Sequence, residues 1–165
     1  MAPGIRVPKA PPPSSRGVSA VMRGNIGRNT RPEVAVRRLL WRLGYRYRLH
    51  GALPGRPDIC FPGRRKLIFV HGCFWHQHPS VRCKLRKHPR TNLDYWRAKL
   101  SNNTRRDALI LRDLAELGWN TLTVWECETT KDKHLLKRLK SFLGPVSLTR
   151  SGRARVGMTR SARAV

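Results

Sequence analysis

The sequence has few acidic residues. Nine Asp and Glu stand against 35 Lys and Arg, so the formal net charge of the 165 residues is +26. Such an excess of one sign opposes compaction unless a polyanion neutralises it, and nucleic acid is the partner that this charge favours. An anionic membrane surface or an acidic protein is the alternative. Solvated tails do not explain the charge, because 27 of the basic residues and all nine acids lie between residues 18 and 146.

Long apolar runs and disulfide scaffolding are also lacking. No window approaches the roughly 18 apolar residues that a membrane-spanning helix needs. Pro11, Pro12 and Pro13 stand where a signal peptide would carry its apolar stretch. Four cysteines are too few for a disulfide scaffold. These absences predict a cytoplasmic protein that does not act at a membrane and keeps its cysteines reduced.

Composition divides the chain into three parts. Residues 1–17 are rich in Pro, Ser and Gly, which predicts a flexible N-terminal arm. Residues 146–165 carry five arginines and no acid, which predicts a basic disordered tail. The folded domain is therefore expected within residues 18–145.

The order of elements in that domain predicts a mixed α/β fold. A capping hydroxyl at Thr30, a proline near the first helical position and Glu33 open a helix that Gly44 ends. Further elements follow from apolar periodicity. Strands are expected over residues 45–50, 57–61, 66–70 and 121–125, and helices over residues 95–117 and 131–143. This order predicts one mixed sheet flanked by helices.

Asp58 is the strongest candidate for a metal-binding acid. It follows a Gly-Arg-Pro turn at the entry of an apolar strand, which places its carboxylate at a sheet edge rather than in the core. A nuclease needs carboxylates to hold Mg²⁺ against phosphate oxygens. Restriction-like nucleases pair such a Pro-Asp strand with one carrying acid-x-Lys, but here the next strand continues as Val70-His71-Gly72. An ordinary turn aspartate is the alternative, and a nuclease would need another group to activate its water.

Cysteines and histidines cluster in one segment and at the last strand. Cys73 and His78 are separated by four residues, Cys83 follows after four more, and Cys127 ends the predicted fourth strand. Three thiolates and one imidazole form a Cys₃His set, which closes a structural Zn²⁺ site and leaves no open position for catalysis. Buried apolar cysteines are the alternative. Cys60, within a predicted strand, is expected to remain without metal.

This assignment leaves His71 and His76 free of zinc. The usual pKa of histidine, near 6.5, suits a general base at neutral pH. Either ring could therefore replace the lysine that the third strand lacks. A spare histidine beside a zinc site that only supports the ligands is the alternative interpretation.

At this point the motifs resemble those of the very short patch repair (Vsr) endonucleases. The likeness covers roughly residues 18–143, and the His-Gly-Cys-Phe-Trp-His string is highly specific. The matching residues, in chain order, are Met22-Arg23, Thr30-Arg31-Pro32-Glu33, Gly55-Arg56-Pro57-Asp58, Phe69-Val70-His71-Gly72-Cys73-Phe74-Trp75-His76, Tyr95-Trp96, Asn103, Arg106-Asp107, Gly118-Trp119 and Val124-Trp125-Glu126-Cys127.

The resemblance implies a strand-specific, Mg²⁺-dependent DNA endonuclease with a restriction-endonuclease-like fold. Members recognise the T·G mismatch left by deamination of 5-methylcytosine, and nick the thymine-bearing strand 5′ of the wrong base. By position, Asp58 and the backbone carbonyl of Val70 would bind Mg²⁺. His76 would be the base for the attacking water, supported by His71. Double-stranded DNA is the implied substrate.

Further site residues follow from the same resemblance. Glu33 and Asp107 would belong to the hydrogen-bond network around the catalytic groups. The structural Zn²⁺ would be held by Cys73, His78, Cys83 and Cys127. An aromatic wedge beside the mismatch would consist of Phe74, Trp75 and Trp96, with Met22 entering from the other groove. Wedging costs less at a mismatch, so intercalation itself favours damaged DNA.

Two features of the chain depart from the family pattern. Val70 replaces a threonine of the best-known member, which is harmless if only the carbonyl binds Mg²⁺. The gap between His78 and Cys83 is longer than in that member, so the loop must bulge.

Phosphate contacts are expected from the basic residues that follow, with a solvated loop as the alternative. These residues are Arg82, Lys84, Arg86, Lys87 and Arg90.

Two rival functions remain compatible with these residues. One is a related nuclease that cuts without mismatch preference, and the other is a zinc-stapled DNA-binding protein without chemistry. Asp58 and His76 together argue against the second, which would have no use for a carboxylate inside such a basic surface. We expect a monomer, and other mismatch-repair proteins are candidate partners.

Overall fold

The computed structural model describes residues 5–12, 16, 27–49, 51–130 and 132–146 of the chain. Its helices are α1 (Arg31–Arg42), α2 (Leu93–Glu116) and α3 (Asp132–Leu143) within these ranges. Its strands are β1 (Arg48–Leu49), β2 (Ile59–Phe61), β3 (Lys66–His71) and β4 (Asn120–Trp125). The expected order of one helix, three strands, helix, strand and helix is confirmed for the described residues.

Helix α1 begins as the capping pattern predicts. The Glu33 N–H donates to the Thr30 hydroxyl at 3.4 Å, and this hydroxyl donates to the Glu33 carboxylate at 2.8 Å. One open N–H of the first turn, that of Glu33, is thereby satisfied by the capping side chain. The helix ends at Arg42, and Gly44 takes the left-handed conformation with φ of 87° that ends a helix without steric cost.

The four strands form one sheet in the order β1-β2-β3-β4. The first three strands pair antiparallel, whereas β3 and β4 run parallel, with Val70 opposite Val124. A parallel pair needs a crossover connection, and α2 lies within it. The prediction of a mixed α/β fold is confirmed.

Helices cover both faces of this sheet. Along β3, side chains alternate between two apolar clusters because successive residues of a strand point to opposite faces. Ile68 and Val70 belong to the cluster that includes residues of α1 and α3, and Leu67 and Phe69 pack with Leu114 of α2. The expected flanking helices are therefore present, and the carboxyl end of β3 lies between the two layers.

The first predicted strand is much shorter than expected. Residues 45–50 were expected to pair. Of residues 45–49, which the structure describes, only Arg48 and Leu49 do so. Tyr45 is buried and donates its hydroxyl to the Gly144 carbonyl at 2.5 Å, and Tyr47 donates to the Arg37 carbonyl at 3.1 Å. Both rings meet Phe61 edge-on. Aromatic packing between helix and sheet replaces strand pairing there.

The predicted terminal segments are only partly within the described residues. In the N-terminal arm, the Ile5 N–H donates to Asn102 Oδ1 at 3.0 Å, and Asn102 Nδ2 donates to the Ile5 carbonyl at 2.7 Å. This segment thus contacts α2. Residues 147–165 and Met22 lie outside the described residues. No helix among the described residues is both long and apolar enough to cross a membrane.

Leu40→Ala tests the importance of the α1 layer. Leu40 is fully buried, so its truncation removes apolar contacts and leaves a cavity, and we expect about 2–5 kcal/mol lower free energy of unfolding. Urea denaturation measures this loss. Leu117→Ala is the control, since Leu117 is 50% exposed at the end of α2; equal losses in the two variants would contradict the assigned core.

Candidate active site and metal centre

A cavity of about 1270 Å³ opens at the carboxyl end of β3. Its walls come from the start of α1, the turn before β2, the segment that follows β3 and the middle of α2. The predicted residues that line it are Glu33, Asp58, Val70, His71, Trp75, His76 and Asp107. The fold thus brings most of the predicted catalytic residues, from four separate chain segments, to one space.

Asp58 is held at the end of β3 by a backbone hydrogen bond. Its Oδ2 accepts the Val70 N–H at 2.7 Å. Pairing between β2 and β3 begins at Ile59, because the preceding Pro57 has no N–H and Asp58 turns its side chain to the strand instead. The two predicted Mg²⁺ ligands are the Asp58 carboxylate and the Val70 carbonyl. They therefore belong to two residues that this hydrogen bond joins.

Carboxylate and carbonyl oxygens are the donor types that Mg²⁺ prefers. This ion keeps several waters and needs only one or two protein ligands where a substrate phosphate completes its shell. A single carboxylate facing an open cavity fits that requirement. The donor set of Asp58 and Val70 therefore suits Mg²⁺.

His71, His76 and Asp107 form a contiguous group. The two imidazole rings stack with centroids 3.8 Å apart and an interplanar angle of 11°. His76 Nδ1 lies 2.5 Å from Asp107 Oδ2. Because an ionised carboxylate only accepts hydrogen bonds, Nδ1 carries the proton and Nε2 remains as the basic nitrogen.

Burial and neighbouring groups favour a neutral His71 and an ionised Asp107. Burial, followed by the electrostatic interaction with the His76 ring, lowers the pKa of His71 to about 4. Burial alone would raise the pKa of Asp107, but the hydrogen bond from His76 and the charges of His76, His71 and Arg106 lower it. At neutral pH, His71 thus supplies a neutral ring beside His76, and Asp107 supplies an anion.

Glu33 lines the cavity, but the hydrogen bonds of its carboxylate are to residues at the start of α1. Its Oε2 accepts from the Asn29 N–H and from Arg37, both at 2.9 Å. Its Oε1 accepts from the Thr30 hydroxyl. In the described residues, no contact joins Glu33 to either histidine, so its place in the catalytic network remains a prediction.

The predicted zinc ligands converge beside this cavity. Ligand atoms of Cys73, His78, Cys83 and Cys127 all lie within 4.8 Å of one another, and the four cysteines of the chain are free of disulfides. Three sulfurs and one nitrogen form the closed donor set of a structural Zn²⁺ site. Cys60 is buried in the apolar cluster under α2, apart from this group.

Without a bound cation, the thiols of Cys73 and Cys127 favour the protonated form. Burial raises the pKa of Cys73 to about 12, and burial also raises that of Cys127. Zinc binds the thiolate form, so binding must release protons from these groups. Cys73 is buried, and Cys83 and Cys127 are half-buried. A cluster of thiols so placed fits a divalent cation, which would compensate the charge of the thiolates.

The zinc candidates and the catalytic candidates share one short segment. Cys73 lies between His71 and His76, and its N–H donates to Glu126 Oε2 at 3.2 Å. Glu126 in turn precedes Cys127. The His78 ring lies against Trp125 with centroids 4.5 Å apart. Metal at this centre would therefore pin the catalytic segment to the end of β4.

The predicted wedge residues form one aromatic cluster. Phe74 lies with ring centroids 5.0 Å from Trp75 and 5.4 Å from Trp96, and all three side chains are half-buried. Asn103 Nδ2 donates to the Trp75 carbonyl at 3.1 Å. The fourth predicted wedge residue, Met22, lies outside the described residues.

The predicted phosphate-binding residues lie in the loop before α2. Arg82, Lys84, Lys87 and Arg90 are exposed, and Arg86 is half-buried with a long contact of 3.5 Å to the Pro79 carbonyl. None of the five lines the cavity. The structure thus separates this basic loop from the catalytic candidates.

Sequence reasoning left several cavity residues without a role. Glu126 directly follows β4, and its position next to Cys127 was the sequence signal that could have indicated a role. Arg56 and Arg106 each stand beside a predicted functional acid, with one residue or none between. The arginines of the cavity wall are Arg28, Arg31, Arg56 and Arg106.

Comparison with known proteins finds similarity to DNA mismatch endonucleases and nicking enzymes. The family model described as DNA mismatch endonuclease Vsr matches residues 13–82. The chain is 49% identical over 119 residues to the type II nicking enzyme V.XorIIP of Xanthomonas oryzae pv. oryzae, an alignment that covers 72% of this chain and 85% of the relative. It is 40% identical over 128 residues to the DNA mismatch endonuclease Vsr of Escherichia coli K12, which covers 74% and 80%. The type II nicking enzyme V.NaeI of Lentzea aerocolonigenes is 39% identical over 128 residues, with 74% and 75% covered.

Cys127→Ala tests the metal centre. Removing one of four ligands opens the site, so we expect zinc content to fall far below the one ion per chain of a closed Cys₃His centre. Metal analysis of the purified protein measures this. Cys60→Ala is the matched control, because Cys60 stands outside the cluster; a Cys127→Ala protein that still carries stoichiometric zinc would contradict the assignment.

Proposed function

Because the chain belongs to the Vsr family of DNA mismatch endonucleases, we propose that it nicks the thymine-bearing strand 5′ of a T·G mismatch in double-stranded DNA. The reaction is Mg²⁺-dependent hydrolysis of one phosphodiester, on a restriction-endonuclease-like fold. Its role is the repair of deaminated 5-methylcytosine.

One observation supports this proposal above all others. Asp58, the Val70 backbone and the His76–Asp107 pair line one open cavity at the carboxyl end of β3. Hydrolysis of a phosphodiester needs a metal-binding acid and a base for water within reach of the same phosphorus. A DNA-binding module without chemistry needs neither.

The residues divide the reaction between them. Mg²⁺, held by Asp58 and the Val70 carbonyl, would supply positive charge at the scissile phosphate. His76 Nε2 takes a proton from the attacking water, whose oxygen then bonds to phosphorus while the opposite P–O bond breaks. Asp107 orients the His76 ring through its hydrogen bond and stabilises the imidazolium that forms.

His71 is assigned a supporting role. Its ring stacks on His76 and restricts the orientations that His76 can adopt. Since the lowered pKa keeps His71 neutral, it adds no positive charge that would weaken the basicity of its neighbour. The stack thus positions the base without competing for its proton.

The aromatic cluster supports mismatch preference. Phe74, Trp75 and Trp96 are large, half-buried rings that adjoin the cavity through Trp75. Unstacking a base step costs a few kcal/mol, and the cost is smallest where pairing is already weak. Stacking on aromatic side chains returns about 1–3 kcal/mol per base. A wedge of this kind favours mismatched DNA, which distinguishes the proposal from a nuclease without mismatch preference.

Non-specific affinity is assigned to the surface charge. The exposed loop with Arg82, Lys84, Arg86, Lys87 and Arg90 stands outside the cavity, where it can bind phosphates that flank the site. Each neutralised phosphate releases counterions, so binding should weaken steeply with salt.

Asp58→Ala should abolish nicking and preserve binding. The variant loses the only predicted side-chain ligand of Mg²⁺, whereas the basic surface is unchanged. End-labelled T·G, U·G and matched duplexes, incubated with Mg²⁺, report which strand and which phosphate is cut; gel shifts report binding. Asp113→Ala is the control, since Asp113 pairs with Arg112 on the surface of α2. Nicking that survives in Asp58→Ala would move the metal site elsewhere.

Trp75→Ala should lower discrimination between mismatched and matched duplexes. The expected loss of affinity for T·G DNA is about 10-fold, or about 1.4 kcal/mol, which lies within the roughly 1–3 kcal/mol that one stacked base contributes. Affinity for matched DNA should change little. Competition binding measures both affinities. Trp41→Ala, at a 58% exposed tryptophan on α1, should leave both unchanged. Equal losses on the two duplexes would reject the wedge.

A further inference from the structure

Arg56 stands out among the arginines of the cavity by its backbone. Its φ is 50°, in the left-handed region that a residue with a Cβ rarely adopts. Gly55 before it has φ of 72°, and the Arg56 N–H closes the turn by donating to the Leu53 carbonyl at 3.0 Å. The side chain of Arg56 is exposed and lines the cavity.

The turn that carries Arg56 is tightly fixed. A Cβ on Gly55 would lie 2.4 Å from Ile110 Cγ2, so the turn packs directly on α2. Pro57 on its other side is fully buried. Arg56 is therefore presented to the cavity from a rigid position, two residues before Asp58.

Arg56 forms no ion pair with any of the described residues. The arginines with ion pairs among the described residues are Arg37, Arg106, Arg112 and Arg138. Arg56 has no acidic partner there. A guanidinium carried by a fixed turn into an open cavity, without an acidic partner among the described residues, suits an anionic ligand that enters from outside.

In the proposed reaction, a positive side chain at the scissile phosphate would add to the charge that Mg²⁺ supplies there. In an acid-x-Lys strand the lysine places an ammonium at the scissile phosphate, but the corresponding position here is Gly72. A Cβ on Gly72 would lie 3.3 Å from Trp75 Cδ1, which leaves little room for a side chain. His76 replaces the lysine as base, and the fixed charge must come from another segment.

We propose that Arg56 binds a non-bridging oxygen of the scissile phosphate and stabilises the charge that grows there in the transition state. This inference rests on the proposed function and adds no covalent step. The water oxygen bonds to phosphorus, the leaving oxygen departs with the bond pair, and the proton passes to His76. Arg56 remains protonated throughout, since arginine does not titrate in this range.

The other arginines of the cavity are less suited to this role. Arg106 is paired with Asp107 at 3.4 Å, the same carboxylate that orients His76. Arg28 and Arg31 lie at the start of α1, on the wall that carries Glu33 rather than in the turn that carries Asp58. They are assigned to general attraction of the DNA backbone.

Arg56→Gly in the full chain tests the proposal. Glycine accepts the left-handed backbone, so thermal stability should not fall. Removing one donor to a developing oxyanion lowers kcat by about 100-fold, while KM for the T·G duplex should change little. Arg56→Lys should restore part of the rate, and guanidinium ion at millimolar concentration should rescue Arg56→Gly by occupying the vacated place.

Arg65→Gly is the matched control. Arg65 is also an arginine with a left-handed backbone, φ 52°, but its side chain donates to the carbonyls of Leu117 and Gly118 and does not line the cavity. Its kcat should equal that of the wild type at a temperature where both are folded. Arg31→Ala should raise KM and reduce the salt dependence of binding rather than lower kcat.

The outcomes separate this contact from the function on which it rests. If Asp58→Ala is inactive and Arg56→Gly keeps a kcat within twofold of wild type, the proposed function stands and the role of Arg56 is overturned. A loss confined to KM, with no rescue by guanidinium, also overturns it. A wild-type chain that nicks no T·G duplex would overturn both.

Discussion

The hydrogen bond from the Val70 N–H to the Asp58 carboxylate is the constraint on which the site depends. At 2.7 Å it joins the turn before β2 to the last residues of β3, beyond the point where the two strands pair. The segment 71–78 that follows Val70 carries both catalytic histidines of the proposal, so this bond sets the distance between the metal-binding acid and the histidines. Its geometry depends on Pro57, which cannot take part in the ladder, and on the buried sheet beneath.

The zinc candidates and the catalytic candidates share one stretch of chain. His71 and His76 are the proposed catalytic residues, Cys73 between them is a proposed zinc ligand, and the Glu126 carboxylate at the end of β4 accepts the Cys73 N–H. A domain of this size has a limited core, so a metal centre can supply rigidity where apolar packing is thin. The aromatic cluster occupies the same segment, since Phe74 and Trp75 stand between Cys73 and His76. In the proposed mechanism, the residues that sense the mismatch and those that hydrolyse the phosphodiester therefore lie next to one another in the chain.

Scarcity of acids shapes the electrostatics. The chain has nine acids and 35 basic residues. Several of these acids make specific contacts in the described structure: Glu33 accepts from the Thr30 hydroxyl at the start of α1, Asp107 bonds to His76, and Glu128 pairs with Arg138. Such a surplus of positive charge gives affinity for DNA without sequence preference. Selectivity then requires groups that act inside the cavity, which is the role proposed for the aromatic rings and for Arg56.

Local patterns in the chain were sufficient for the order of elements and the start of α1, because capping and apolar periodicity are properties of neighbouring residues. Donor chemistry also indicated Cys73, His78, Cys83 and Cys127, whose ligand atoms the structure brings together, and their role as zinc ligands stays a prediction. Local patterns were insufficient for the length of β1, where Tyr45 and Tyr47 pack on Phe61 instead of pairing. They also did not show that Glu126 would bond to Cys73, or that Arg56 would face the cavity from a left-handed turn. Those contacts join segments many residues apart, and their distances are set by how α2 and the sheet pack together rather than by any local preference.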